Sequence, residues 1–283
     1  MKASYYPGCS LEGTAKPYDH SSRAVCEALG IGLEDIPDWS CCGSSPALKM
    51  NKDLSTALAA HNLALSETRS VEDVVIPCPF CFRRLLSAQA ELAADPDLKA
   101  RIEGVIEAEI KGTTGIHSLL GFLTERVGAA GVGEKVQRPL KGLKVAPYYG
   151  CYLVKPHDVT GFDDPENPTS MDDLLTALGA EIVDWDFKTE CCGAGLAVSK
   201  TETVRDLCRR IVAEAAHQKA DAVVVACQLC QANLDMRQDD GAMPILYFTQ
   251  LMGLAFGMSA KDLGLKHHLA SPMKMLKAKG IVS

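Results

Sequence analysis

Ten of the twelve cysteines in this chain fall into two copies of one arrangement: a single cysteine, an adjacent pair and a Cys-x-x-Cys motif. In the first copy, 31 residues separate the single cysteine from the pair and 35 separate the pair from the motif; in the second copy the intervals are 39 and 34. The flanking residues also agree, with YPGC against YYGC, SCCGS against ECCGA and IPCPFC against VACQLC. An internal duplication is the most economical explanation. The ten residues are Cys9, Cys41, Cys42, Cys78 and Cys81, then Cys151, Cys191, Cys192, Cys227 and Cys230.

Thiols at these positions are suited to binding a metal centre. A disulfide between adjacent cysteines would close a small, distorted ring, so the members of each pair are poor partners for one another. A Cys-x-x-Cys motif at the start of a helix turns both sulfurs to one side, and the free N–H groups there favour thiolates and an anionic cluster. Gly8, Gly43, Gly150 and Gly193 would let the backbone approach a bulky inorganic core and donate N–H groups to sulfur.

Zinc is the main alternative to iron and sulfur. A structural zinc ion takes four ligands, whereas each copy offers five thiols and neither contains an HxxxH motif or a second Cys-x-x-Cys. An ordinary cubane cluster also uses four cysteines, so the fifth would be a spare thiol, a nearby hydrogen-bond donor or a ligand of an unusual cluster. The count of five favours the unusual cluster.

Four residues outside the repeat have both a chemical and a structural interpretation. Cys26 and Cys208 lie inside helical patterns, where cysteine commonly acts as a small buried hydrophobe, so we expect them in the core. Lys16 and Lys155 follow the first cysteine of each copy. They could bind an anionic group of a substrate or be ordinary solvated lysines, and both are candidate substrate-binding residues.

Other side chains near the motifs suggest structural roles. Arg83 and Arg84 directly follow the first Cys-x-x-Cys motif, and an adjacent arginine pair at a helix start is usually solvated surface. Trp39 and Trp185 each precede a Cys–Cys pair, so we expect their rings to pack beside the site. The histidines have no metal-binding spacing. The sequence therefore identifies no catalytic acid, base or nucleophile.

Length and charge restrict the class of protein. With 283 residues the chain can form two domains of ordinary size, and a net charge of −7 argues against a nucleic-acid partner. No run reaches the roughly 18 apolar residues of a membrane helix, and the N-terminus lacks the apolar stretch of a secretory signal. We therefore expect a cytoplasmic protein without a transmembrane segment, in which reduced thiols are available as ligands.

Each copy of the cysteine arrangement predicts an α/β unit. LKVAPYYGC, EDVVIPCPFC and DAVVVACQLC are short runs rich in Val, Ile and Tyr that end at cysteine, as buried parallel strands with functional C-terminal ends do. We expect strand, cysteine turn and helix to repeat three times in each half. The helical patterns cover 21–29, 53–68 and 82–92, then 171–178, 201–219 and 231–237.

The two halves also end alike. The segments 117–128 and 244–257 are interpreted as corresponding helices, each closing its half. The Gly- and Lys-rich stretch 128–142 predicts the boundary between the halves. The sequence thus predicts two pseudo-repeated Rossmann-like α/β domains, 1–138 and 139–283, each with one five-cysteine motif.

The cysteine words resemble those of the CCG-domain family, named for its Cys-Cys-Gly motif, and within it the B subunits of heterodisulfide reductases. The resemblance covers nearly the whole chain and extends to YYGCYLVKP, FDDPENP, MDDLLTALGA and LAFGMSAKDLGLKHHL. It implies two noncubane [4Fe-4S] clusters, one for each set of five cysteines. It also implies a disulfide substrate clamped between them, a heterodisulfide of the CoM-S-S-CoB type that is reduced to two thiols in methanogenesis.

The motifs also bear on how the protein receives electrons. No CxxCxxCxxxCP ferredoxin run is present, so another protein must deliver electrons. By resemblance, the partners are the other two proteins of such a complex, a small ferredoxin-like iron-sulfur subunit with two cubane clusters and a flavoprotein subunit. The main interpretation is a disulfide reductase, in which this chain is the catalytic subunit of a larger complex. One alternative is a CCG-type electron-transfer subunit of a flavin-linked oxidoreductase, and another is a zinc-stabilised scaffold.

Overall fold

Two parallel four-stranded sheets form the framework of this protein in a computed structural model that describes residues 1–44, 46–69, 71–238 and 243–282. The strand orders are β2-β1-β3-β4 and β6-β5-β7-β8, and every neighbouring pair is parallel. The prediction of two repeated α/β units is confirmed. The strands are β1 (Lys2–Tyr5), β2 (Gly32–Asp35), β3 (Asp73–Ile76), β4 (Gly115–Ser118), β5 (Lys144–Tyr148), β6 (Glu181–Ile182), β7 (Ala222–Val225) and β8 (Ile245–Tyr247).

Helices connect the strands and cover the sheets. Within the part of the chain that the structure describes, no helix has both the length and the apolar character needed to cross a bilayer. The first half contains α1 (Cys9–Glu12), α2 (Lys16–Ala28), α3 (Pro46–Met50), α4 (Lys52–Glu67), α5 (Pro79–Ala94), α6 (Pro96–Ile106), α7 (Leu119–Arg126) and α8 (Gly128–Gly133). The second half contains α9 (His157–Thr160), α10 (Ser170–Ala177), α11 (Thr201–His217), α12 (Gln228–Met236), α13 (Phe248–Ala255) and α14 (Met273–Ala278), with 3-10 turns at Ala194–Leu196 and Leu265–His267.

The central strands end where the site begins. The side chains of β7 are fully buried, as expected for a β-branched strand covered on both faces of a parallel sheet. Cys78 and Cys227 each come two residues after the central strands β3 and β7. Since the carboxyl ends of parallel strands meet at one edge of the sheet, the strands present these cysteines together. The predicted position of cysteines at strand tips is confirmed.

The segments 117–128 and 244–257 were expected to be wholly helical, and this prediction is wrong at their first residues. His117 and Ser118 belong to β4, paired in register with Val75 and Ile76 of β3, and β8 occupies the matching place beside β7. Each sheet therefore has four strands and not three. Strands of three or four residues are too short for hydrophobic periodicity to separate them from the helix that follows.

The two halves contact each other through two pairs of helices. Helix α2 of the first half packs on α13 of the second, and α10 of the second packs on α7 of the first. Tyr18 stacks on Tyr247 with ring centroids 4.3 Å apart, and the hydroxyls of Ser21 and Thr249 lie 2.7 Å apart. One apolar core therefore runs through both halves, and a smaller separate cluster lies between α4, α5 and α6. The sheets divide between β4 and β5, and the domain division at 1–138 and 139–283 stays a prediction.

Candidate metal centre

The five cysteines of each half, called here the first and second quintets, have matching burial. The single cysteine and the first member of the pair lie toward solvent, whereas the second member of the pair and both cysteines of the Cys-x-x-Cys motif are buried. All ten are free thiols. The first quintet is Cys9, Cys41, Cys42, Cys78 and Cys81, and the second is Cys151, Cys191, Cys192, Cys227 and Cys230.

Sulfur atoms within each quintet are in contact. In the second quintet, the Sγ atoms of Cys151 and Cys191 are 3.8 Å apart, and those of Cys192 and Cys230 are 3.5 Å apart. In the first quintet, Cys42 accepts thiol hydrogen bonds from both Cys41 and Cys81. These contacts are pairwise. Among the described residues, no three His, Cys, Asp or Glu side chains are arranged to hold a single metal ion.

Where two thiols form a hydrogen bond, the pKa of the accepting sulfur is lowered, which favours its thiolate form. The Cys41 thiol lowers the pKa of Cys42 to about 4, and the Cys151 thiol lowers the pKa of Cys191 to about 6. The same interactions raise the pKa values of Cys41 and Cys151, and burial adds to both shifts. Because the thiolate is the form that binds metal, each quintet contains a sulfur ready to act as a ligand.

A cysteine of each Cys-x-x-Cys motif also lowers the pKa of another thiol in its quintet. The pKa of Cys78 is lowered by a hydrogen bond from the Cys81 thiol, and that of Cys192 is lowered by its hydrogen-bond contact with the Cys230 sulfur. Cys78 is also the N-cap of α5, where its Sγ accepts a hydrogen bond from the backbone N–H of Cys81 at 3.4 Å. The end of the helix thus stabilises negative charge on this sulfur, as the sequence predicts.

A glycine leaves room beside one buried sulfur of each quintet. Gly8 and Gly150 have φ of +72° and +69°, a left-handed conformation that residues with a Cβ rarely adopt. A Cβ on Gly8 would lie 3.1 Å from the Sγ of Cys81, and one on Gly150 would lie 3.0 Å from the Sγ of Cys230. The backbone therefore passes against the sulfurs at matching positions in the two halves.

Two tyrosines anchor the Cys–Cys loops to the sheets. The hydroxyl of Tyr6 donates to the carbonyl oxygen of Ser40 at 2.6 Å, and that of Tyr148 donates to the carbonyl oxygen of Glu190 at 2.5 Å. Both acceptors directly precede a cysteine pair. These tyrosines were not predicted as site residues, although the tyrosine repeated in YPGC and YYGC indicates a shared role.

The two tryptophans pack on those tyrosines. Trp39 meets the ring of Tyr6 edge to face at 5.4 Å, and Trp185 lies 6.3 Å from the ring of Tyr148. The indole N–H of Trp185 donates to the carbonyl oxygen of Pro147 at 3.0 Å. The rings therefore support the loops that carry the cysteine pairs, in keeping with the predicted packing role.

The two quintets lie next to each other across the contact between the halves. The side-chain Nε2 of Gln228 donates to the Sγ of Cys78 at 2.8 Å, although 150 residues separate them in sequence. Gln228 directly follows Cys227, a member of the second quintet. A small cavity lined by the sulfurs of the second quintet is closed on its other side by Pro79 and Phe80 of the first half.

A larger cavity of about 360 Å³ opens beside this contact. Its walls include residues from the loops after both cysteine pairs, Ser44 and Gly193, together with Cys191. Phe80 stacks on Tyr152 across the cavity wall, with ring centroids 4.0 Å apart and planes at 4°. The cavity therefore joins solvent to the place where the two halves and the second quintet meet.

Charged residues near the quintets have different environments. The guanidinium of Arg83 lies 4.3 Å above the ring of Tyr152. Arg84 is 6% exposed and bonds to Glu91 and Thr56, so the expectation that it is solvated surface is wrong. A carboxylate seven residues further along the same helix makes this burial possible, since a buried charge needs a partner.

The candidate substrate-binding lysines and the outlying cysteines are also placed. Lys155 forms an exposed ion pair of 3.1 Å with Glu166, and Lys16 lines a charged cavity of about 300 Å³ that includes Glu12, Asp19 and Arg23 but no cysteine of the first quintet. Their role in binding substrate stays a prediction. Cys26 and Cys208 are buried, and burial raises the pKa of each to about 12, as expected for core thiols.

The donor set fits an iron-sulfur cluster. Each quintet combines thiols in pairwise contact, at least one sulfur held as thiolate, and a glycine backbone against a buried sulfur. Backbone N–H groups also reach sulfur, as from Gly193 to the Sγ of Cys191 at 3.3 Å. Thiolate ligands with N–H donors around them are what such clusters use.

The fold and the site define a duplicated cysteine-rich protein, and comparison with known proteins identifies its family. Residues 3–85 and 145–235 match the model of the cysteine-rich domain called CCG. The chain belongs to the CCG cysteine-rich domain family. The family match and the relatives together support the conclusion that this is an iron-sulfur protein of electron transfer or disulfide reduction.

Two relatives align along nearly their whole length. The chain is 35% identical to the 8-methylmenaquinol:fumarate reductase membrane anchor subunit of Wolinella succinogenes, over 96% of this chain and 98% of the relative. It is 32% identical to the B subunit of the ferredoxin:CoB-CoM heterodisulfide reductase of Methanosarcina mazei, over 97% of this chain and 96% of the relative.

A solved structure shares the fold. The crystal structure of a hypothetical protein from Helicobacter pylori superposes with a TM-score of 0.76 over 95% of this chain, at 14% identity. This chain spans about half of that protein's length, since the match covers 52% of it. At this identity the likeness shows the fold alone.

Proposed function

We propose that the chain is the catalytic iron-sulfur subunit of a disulfide reductase. Its reaction would be the reduction of a heterodisulfide, of the CoM-S-S-CoB type, to two thiols between two noncubane [4Fe-4S] clusters. The observation that carries this proposal is that Gln228, the residue after Cys227 of the second quintet, lies 2.8 Å from the sulfur of Cys78 in the first. The identity of 32% with the B subunit of a heterodisulfide reductase supports it.

The electron count explains why two adjacent centres are useful. Cleaving one disulfide consumes two electrons and two protons and yields two thiols. When bound, the clusters would supply electrons one at a time. A substrate held where both quintets are within reach need not release a half-reduced sulfur into solvent.

This chain's own residues would bind and shield the substrate. The first quintet would hold one cluster and the second quintet the other, with Gly8 and Gly150 leaving room for them. The cavity of about 360 Å³ reaches Cys191 and would be the entrance for a disulfide. The stacked rings of Phe80 and Tyr152 would exclude water from one side of the cavity.

Electrons would come from partner proteins in a cytoplasmic complex. Because the chain has no ferredoxin-type cysteine run, we propose two partners, a flavoprotein subunit together with a ferredoxin-like iron-sulfur subunit. The name of the M. mazei relative, a ferredoxin:CoB-CoM heterodisulfide reductase subunit, includes ferredoxin, which supports an iron-sulfur donor. The quintets would belong to domains 1–138 and 139–283.

A second candidate function is electron transfer within a flavin-linked oxidoreductase. The identity of 35% with the W. succinogenes protein, whose name assigns it to a fumarate reductase, specifically favours this role. In that case the same two centres would relay electrons without binding a disulfide. The two candidates predict the same metal content and differ in the response to a disulfide.

The test starts from protein purified without oxygen. Two [4Fe-4S] clusters require about eight iron and about eight acid-labile sulfide per chain. The loaded protein, reduced by a viologen dye, is then mixed with CoM-S-S-CoB and with each symmetrical disulfide. Rapid dye oxidation by the heterodisulfide supports the proposal. Full iron content without dye oxidation by any disulfide would reject it in favour of electron transfer, and zinc without sulfide would reject both.

A further inference from the structure

The two halves differ at one position inside the Cys-x-x-Cys motif. Pro79 follows Cys78 in the first half, and Gln228 follows Cys227 in the second. Proline has neither a backbone N–H nor a polar side chain to offer a neighbouring sulfur. Glutamine has an amide with two N–H donors. Only the second half therefore extends a side-chain donor from this position toward the opposite quintet.

Gln228 is buried, and its side-chain amide donates to the sulfur of Cys78. The residue is 2% exposed, and its Nε2 lies 2.8 Å from the Cys78 Sγ. Its other amide atom, Oε1, is buried without a hydrogen-bond partner among the described residues. An apolar side chain would fill the same space without leaving a buried carbonyl unpaired. Packing alone therefore does not account for an amide here.

Three other N–H···S hydrogen bonds at the quintets are longer. Cys78 also accepts from the backbone N–H of Cys81 at 3.4 Å. In the second quintet, Gly193 N–H reaches Cys191 at 3.3 Å, and the side-chain Nδ2 of Asn233 is 3.8 Å from the Cys192 sulfur. The bond from Gln228 to Cys78 is thus shorter than each of these three.

We propose that Gln228 is a positioning residue that raises the reduction potential of the cluster held by the first quintet. This inference rests on the proposed binding of two clusters. An N–H donor to a ligand sulfur stabilises the more negative, reduced state, and so raises the potential. The internal symmetry is therefore broken, and the first quintet holds the better electron acceptor of the two.

The test is a redox titration of the whole chain, loaded with iron and sulfide and followed by electron paramagnetic resonance. Gln228→Leu removes the amide, and Gln228→Glu keeps the size of the side chain but replaces the donor with an acceptor. In both variants we expect the more positive of the two midpoint potentials to move to a more negative value, further for Glu. The other midpoint should stay where it is.

Gln231→Leu is the matched control. Gln231 is a buried glutamine on the same helix, but its amide bonds to Asp235 and His268, both at 3.0 Å, and to no sulfur. Its loss should leave both midpoints unchanged.

Several results would overturn the role of Gln228. Unchanged midpoint potentials in fully loaded Gln228 variants, or equal shifts of both midpoint potentials, would reject the proposed role of Gln228. Neither result would contradict the proposed function. Iron loss in both Gln228 variants would make the residue structural and overturn the inference. Failure of the unmodified chain to bind iron and sulfide would instead overturn the proposed function, and this inference with it.

Discussion

Gly150 lies directly against Cys230, so that a Cβ atom on the glycine would come within 3.0 Å of the cysteine sulfur. Gly150→Ala should therefore displace the second quintet, and the chain should lose about half of its iron, corresponding to one cluster of two. The measurement is iron and sulfide content after anaerobic purification. Gly112→Ala is the control, because Gly112 has a similar φ of +73° but open space around it. Equal iron loss in the two variants would contradict the prediction.

Substitution of Cys81 and of Cys208 distinguishes a predicted cluster ligand from a core thiol. Both are buried, but Cys81 contacts other thiols of the first quintet, whereas the Cys208 thiol donates to the carbonyl oxygen of Cys192 at 3.6 Å. Cys81→Ser should damage one cluster and remove about half of the iron. Cys208→Ser keeps a hydroxyl donor and should leave the iron content intact. Iron loss in Cys208→Ser alone would make the assignment of the quintets wrong.

The thiolate character of Cys191 can be measured in the metal-free, reduced chain. Its pKa is lowered to about 6 by the hydrogen bond from the Cys151 thiol, so its alkylation rate should be nearly constant above about pH 7 and fall below about pH 6. Cys208, whose pKa burial raises to about 12, should remain unlabelled in the same pH range. Peptide mapping after brief treatment with iodoacetamide gives both rates. A Cys191 rate that still rises about tenfold per pH unit at pH 8 would contradict the lowered pKa.

A buried ion pair supports the loop that carries Cys151. Lys188 Nζ lies 2.6 Å from Asp172, which also accepts a hydrogen bond from the Tyr149 hydroxyl at 2.8 Å. The carbonyl oxygen of Lys188 accepts from the backbone N–H groups of residues 149 and 150. The pair thus connects α10 to the approach to the second quintet.

Removing one member of this pair should be costly, since it leaves a buried charge without a partner. We expect Asp172→Ala to lower the free energy of unfolding by about 3–5 kcal/mol. Asp173→Ala, at the exposed next position of the same helix, should change it by less than about 0.5 kcal/mol. Urea denaturation of the metal-free chain measures both. Similar losses in the two variants would show that the ion pair is not the cause.

The sequence was sufficient for features that depend on short stretches of chain. The runs before Cys78 and Cys227 combine β-branched residues with a helix start at the motif, and this local pattern correctly predicted β3, β7, α5 and α12. The duplicated spacing likewise identified the two quintets as corresponding sets, although their role as ligands stays a prediction.

Features that depend on distant residues could not be predicted. Strands β4 and β8 become recognisable only through their pairing with β3 and β7, because each is too short to have its own period. The hydrogen bond between Gln228 and Cys78 joins residues 150 positions apart. No local pattern contains the information that these two side chains meet.

The reciprocal packing of α2 on α13 and of α10 on α7 has a consequence for symmetry. Two corresponding helix pairs related in this way resemble the self-complementary interface of a two-fold symmetric dimer. In a homodimer, both subunits would have the same residue after the first cysteine of the Cys-x-x-Cys motif. Because both repeats belong to one chain, Pro79 and Gln228 can differ at this position.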